Sequence, residues 1–332
     1  MLIIVAHHYV VNSGVLDCIN AQTSLHFQDY FLLIFGWGGK TGINCFVLIT
    51  GYFMCTSNIT KKKFYRLLGE IYFYKIVIWC LFLLAGYETF SIKNLFKEIL
   101  PFPTVSDNFT GCFLLFYLLI PFLNKLIQNL TEREHRWLII WCVGVYVALP
   151  SFVMMTVKFN YITWFCVIYF VAAYIRIYQH AWCNSKKITS IMAIASVSLS
   201  WLSIVAIVIT KRKLGIDLGT GYFFVSDCNK VLAFITGISL FLFFKNLKLE
   251  YNKTVNKIAA STFGVLLIHT NGDNMRQWLW KDFLNNIGVY DAGYSVGHAL
   301  ISVTVIYIIC TLIDMLRIKL LEPIFIKRLT ND

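Results

Sequence analysis

Charge is what this sequence has least of. Only 14% of its 332 residues are Asp, Glu, Lys or Arg, whereas 58% are hydrophobic, and a soluble domain carries about 25% charged residues. That is too little polar surface to coat a soluble globule of this size. The chain also lacks any polar segment large enough for an independent soluble domain. Its ten cysteines, from Cys18 to Cys310, include no C-x-x-C pair and no metal-type cluster, so they read as small apolar side chains. No basic stretch or small-residue cleavage site marks a secretory signal, because Met1 enters an apolar run directly. Internal repeats and low-complexity segments are absent as well, which weakens an inverted-repeat transporter reading.

What is present is a succession of apolar runs, most of them long enough for one helical crossing of a bilayer. Ten can be marked. The first five are Met1 to Val11, Thr41 to Met54, Glu70 to Ala85, Gly111 to Ile127 and Trp137 to Met154. The rest are Tyr161 to Tyr178, Ile188 to Ile209, Tyr222 to Phe244, Ile258 to Thr270 and Ala292 to Leu316. The fold class expected is therefore all-α, a polytopic transmembrane bundle of about ten helices forming one membrane-embedded domain over residues 1–332. The first run is too short to span hydrocarbon about 30 Å thick, so the first helix reads as truncated. The second can be lengthened by Asp29 to Trp37, with a break at the glycines near Gly38.

The net charge of +12 does not call for a nucleic-acid partner, since the basic residues sit in small groups between apolar runs. Compared over alternate loops, eighteen basic residues fall on one side and nine on the other. The richer side includes Lys61 to Arg66, Lys245 to Lys257, and Arg317 with Lys319, Lys327 and Arg328. The bias of Lys and Arg toward cytoplasmic loops then places both termini inside, in a multi-pass protein of the cell membrane. Four N-x-T sequons, at Asn58, Asn108, Asn129 and Asn252, mostly fall on that inner side and are accounted for by chance.

Ionisable side chains inside spanning helices cost at least ~2.5 kcal/mol, so those that persist are paired or functional. His7 and His8 form the first such group, and a histidine is the most versatile general base near neutrality. Consecutive helical residues point about 100° apart, so at most one of the two faces any given cavity. The second group is His269, Asn271, Asp273, Asn274 and Arg276 in FGVLLIHTNGDNMRQW. His269 and Asp273 are spaced so that a carboxylate could orient an imidazole, unless Gly272 breaks the helix; Asp273 with Arg276 could equally be an interfacial ion pair. The third is GKTGINCFVLITGYFM, residues 39–54, which sets Asn44 and Thr50 among glycines suited to close helix packing or to holding a developing anion. Asp314 reads as structural. No metal motif, phosphate loop or serine elbow occurs. Residues alone imply a bundle with a histidine-centred polar interior, competent for proton transfer.

The segments MLIIVAHHYVVNSG from Met1, GKTGINCFVLITGYFM, WFCVIYFVAAYIRIY from Trp164, and FGVLLIHTN from Phe263 resemble the acyltransferase-3 family of integral-membrane O-acyltransferases. The resemblance runs through nearly the whole chain in matching order. It implies transfer of an acyl group, acetyl above all, from acyl-CoA to a hydroxyl of a surface or lipid-linked polysaccharide, with no metal. It also implies His8 as the catalytic histidine, with the adjacent His7 as a second catalytic candidate; His7, Asn44 and Thr50 are then the candidates for orienting His8 or binding the oxyanion. His269, Asp273, Asn271 and Arg276 would then contact the acceptor or relay a proton. The family's first helix carries an arginine ahead of that histidine, which here would fall before Met1. Thr50 stands where many relatives have serine, and no esterase-like domain is appended. The bilayer, the glycan acceptor and polysaccharide-assembly proteins are the expected partners. The rival expectations are a proton-coupled carrier or flippase for lipid-linked glycans, and a structural partner in polysaccharide assembly.

Overall fold

The structure, a computed structural model, describes residues 1–99, 109–153, 155, 157–158, 160–216 and 220–324. The sequon at Asn108 and the basic residues Lys327 and Arg328 lie outside the described residues. Every regular element among the described residues is helical. Seven helices among them are long and apolar enough to cross a membrane: Phe27–Met54, Lys61–Leu84, Phe109–Gln128, Glu132–Val153, Tyr161–Tyr178, Lys186–Leu214 and Ser295–Ile324. The chain is thus a polytopic helical bundle, as its composition demands.

The three remaining apolar runs differ from expectation. The first continues past Val11 as a bent pair, α1 (Leu2–Val11) and α2 (Val15–Ala21), which meet at 53° and together are long and apolar enough for one broken span. Gly14 makes the bend at φ +90°, a conformation open to glycine at little steric cost. Tyr222 to Phe244 contributes only Val231–Lys245 as helix, and Ile258 to Thr270 is divided between Lys253–Ala260 and Thr262–His269.

The ends of the helices are written locally. Thr60 accepts a hydrogen bond from Lys63 N to start α5 (Lys61–Leu84), and Thr131 with Glu134 forms a capping box on the helix Glu132–Val143. Beyond Gly144 that helix widens into π-turns through Pro150, which has no N–H for an α-helical bond.

Two compact units result. One comprises residues 33–58 and 115–249. In it α4 (Gly39–Met54) packs on α9 (Tyr161–Tyr178) and α12 (Val231–Lys245), with α11 (Lys186–Leu214) behind α12. The approach is close enough that a Cβ on Gly51 would lie 2.8 Å from Ala172 Cβ, and one on Gly237 2.8 Å from Asn44 Cβ. Small residues permit such contact between apolar helices.

The other unit comprises residues 1–32, 59–114 and 250–332, within the described residues. Its long α17 (Ser295–Leu320) packs against α1 and against α14 (Thr262–His269), which also touches α5. Buried Asp314 accepts from Tyr74 Oη at 2.8 Å and from Arg317 Nε at 2.7 Å, and Arg317 lies 3.0 Å from Glu70. That network ties α5 to α17 and bears out the structural reading of Asp314. Asp29, also buried, accepts from Tyr290 Oη at 2.6 Å.

Candidate functional site

Two short helices of this second unit, far apart in sequence, bring their histidines together. His8 lies in the last turn of α1, and His269 is the final residue of α14, 1% exposed. His8 Nδ1 is 3.1 Å from His269 Nε2, and the rings sit 5.2 Å apart at 43°. The other nitrogen of His269, Nδ1, is 2.5 Å from the carbonyl oxygen of Val265.

These contacts fix where the protons are. A carbonyl oxygen only accepts, so His269 Nδ1 must carry a hydrogen and donate it. In the neutral ring Nε2 is then an acceptor. His8 Nδ1 must therefore be the donor across the 3.1 Å gap, which puts the lone pair of His8 on Nε2. A proton taken up at that nitrogen would turn the bond between the histidines into a charge-assisted one, stronger than its neutral form.

The remaining expected residues divide. His7 stays near, its ring 5.7 Å from that of His8. Asp273 does not orient His269, because α14 ends before Gly272 and both imidazole nitrogens are engaged elsewhere. It pairs instead with Arg276 at 2.8 Å, with its own side chain 94% exposed, so of the two readings the ion pair is the one found. Asn271 donates to Leu267 O and closes the end of α14.

In the first unit Asn44 is a cross-tie. Its Nδ2 donates to Cys228 O at 2.8 Å and Ala233 O at 3.1 Å, while its Oδ1 accepts from Trp164 Nε1 at 2.9 Å. Both amide hydrogens are committed, so no donor is left for an oxyanion. Thr50 likewise donates to Phe46 O one turn back.

One residue escaped the sequence reading. His298, near the start of α17, meets Tyr9 with Nδ1 2.8 Å from the phenol oxygen, and it carried no periodic signal. Lys75, which the sequence places within a helix, lies in α5 and pairs with Glu98 at 3.3 Å, as a charge inside an apolar run should.

Against known proteins, residues 1–315 match the acyltransferase-3 family, described as an acyltransferase domain. The chain belongs to that family. No curated protein and no solved structure matches it. It is therefore an acyltransferase of the multi-pass membrane type, and the match bears out the resemblance carried by the segments at Met1, Gly39, Trp164 and Phe263. An acyltransferase that delivers to a hydroxyl needs a base for the hydroxyl proton or a nucleophile for the acyl carbon. An imidazole with a defined tautomer can serve as either.

Proposed function

We propose that this acyltransferase moves an acyl group, acetyl in the first instance, from acyl-CoA to a hydroxyl of a cell-surface or lipid-linked polysaccharide, in the cytoplasmic membrane with both termini inside. The observation that supports it is the bridge from Val265 through His269 to His8, which fixes the lone pair of His8 on Nε2. In direct transfer the acceptor oxygen attacks the thioester carbon while its proton passes to His8 Nε2. The carbon–sulfur bond then breaks, and the same proton returns to the departing thiolate. In the two-step form His8 Nε2 attacks the thioester carbon, the carbon–sulfur bond breaks and the thiolate departs; the hydroxyl then attacks the acyl carbon, the bond to Nε2 breaks, and the hydroxyl proton neutralises the thiolate.

His269 is a positioning residue in both forms, and His7 is the neighbouring ring available to hold His8 in place. Lys61, Lys62 and Lys63, exposed in the first turn of α5, suit the coenzyme's phosphates. Arg66 is instead paired with Glu322 at 2.8 Å.

The deciding experiment replaces His8 by alanine and follows acetyl groups on surface glycan by proton NMR. Loss of the acetyl signal with the protein still in the membrane supports the proposal. Full acetylation would remove His8 from the reaction. Lost glycan export with acetylation unchanged would favour the carrier reading, in which the histidines relay protons.

A further inference from the structure

One cavity of the histidine-bearing unit lies apart from His8 and His269. It has a volume of 320 Å³ and opens between α5, the turn leading to α6 (Ile92–Ile99), and the loop after α14. Its wall holds three carboxylates, Glu88, Glu98 and Asp273, and three carboxamides, Asn94, Asn271 and Asn274, beside the rings of Trp79 and Phe82. Ligand pockets run from about 300 to 1,000 Å³, so the space suits one or two sugar rings. A wall this rich in acceptors calls for a ligand rich in donors. A polyhydroxylated one fits, with aromatic faces against its apolar edges.

The charge balance narrows the class. Glu98 is paired with Lys75 and Asp273 with Arg276. The partners of Glu88 are neutral: Oε1 accepts from Asn274 Nδ2 at 2.6 Å, and Oε2 from Trp79 Nε1 at 2.9 Å. Among the side chains the structure describes, no cation pairs with it, and its negative charge faces the cavity. Each of its oxygens keeps a second lone pair for a hydroxyl, and both repel an anion. Asn271 and the Lys75–Glu98 pair join this space to a smaller cavity of 50 Å³ lined by Thr110, Leu267 and Thr270. Thr270 and Asn271 directly follow His269 in the chain. By the loop-charge bias this end of α5 and α14 faces outward, where a surface glycan would arrive.

We infer that this cavity is a saccharide subsite for the acceptor and that it takes neutral sugars while rejecting uronic acids. The inference rests on the polysaccharide reading of the acceptor. It is tested on the full chain in lipid nanodiscs, titrated calorimetrically with trisaccharides of glucose, N-acetylglucosamine and galacturonate. At least one neutral trisaccharide is expected to bind ten times more tightly than the galacturonate. Glu88→Gln, which keeps the shape and removes the charge, is expected to bring that ratio below threefold. Because Glu88 also holds Trp79 and Asn274, Asn94→Trp supplies a second test by filling the space from α6. It is expected to weaken neutral-sugar binding at least tenfold.

Galacturonate bound as tightly as the neutral sugars, no binding of any trisaccharide, or unchanged binding in Asn94→Trp would each overturn the subsite. Transfer from labelled acetyl-CoA, measured in the same preparations, separates the two ideas. Saccharide binding as expected but without acetyl transfer to any acceptor would count against the acetyl-to-polysaccharide reading and leave the subsite standing.

Discussion

A histidine in an apolar helix is a candidate for chemistry only once its tautomer is known, and here the tautomer follows from a carbonyl. Val265 O accepts from His269, so His269 can only accept from His8. Replacing His269 by alanine removes that acceptor and frees the His8 ring to adopt the other tautomer. Transfer is expected to fall roughly 10²-fold, a typical worth of positioned acid–base catalysis. The glutamine variant, whose side-chain oxygen can accept from His8 Nδ1, should recover part of the loss. Steady-state transfer rates of the two variants would show it. A glutamine variant no better than alanine would reduce His269 to packing. Asn44→Ala is a different case. It strands the Trp164 indole and two carbonyls in a buried site, so stability should fall by roughly 1–3 kcal/mol, read as a lower unfolding midpoint in detergent. The histidines themselves were legible in the sequence as ionisable groups in apolar runs. Their pairing was not, because a contact between residues 261 apart leaves no periodic mark on either helix.

Helices rather than single residues decide how closely the chain can pack. Gly51 and Gly237 are where α4 meets α9 and α12. A valine at either must push a neighbour away, since its Cβ would lie 2.8 Å from Ala172 Cβ or Asn44 Cβ. Such overpacking costs about 1–3 kcal/mol, which thermal unfolding followed by tryptophan fluorescence would register. Gly144 is the internal control. It sits at φ −54°, and a methyl group added there would meet nothing within 4 Å, so Gly144→Ala should unfold at the native midpoint or slightly above it. Equal losses at all three glycines would mean that the close approach is not what matters. Hydropathy located the long helices well, because burial in hydrocarbon demands about twenty apolar residues in a row. It overextended the run from Tyr222 and merged Lys253–Ala260 with Thr262–His269. Apolar turns and apolar helices look alike when only composition is read.

For the molecule as a whole, the basic residues are the property that orients it. α5 opens with Lys61, Lys62 and Lys63 and closes at Leu84 beside Gly86 at φ +75°. A helix of 24 residues with that asymmetry should run from the cytoplasm outward, since Lys and Arg flanking a span are held on the inner side. The proposed saccharide subsite and the lysines proposed for a coenzyme's phosphates would then lie at opposite ends of α5, so that on that proposal the thioester comes from one face and the hydroxyl from the other. Alkaline phosphatase, active only outside the cytoplasm, reports this directly when fused after residue 60, 86 or 272. Activity is expected at residues 86 and 272 and none at 60. Activity at 60 alone would invert the protein and place the carboxylate-lined cavity on the coenzyme's side, where a surface glycan cannot reach it. Equal activity at 60 and 86 would mean that α5 does not cross at all, and the lysine at its middle would then need no partner to offset a hydrocarbon surrounding.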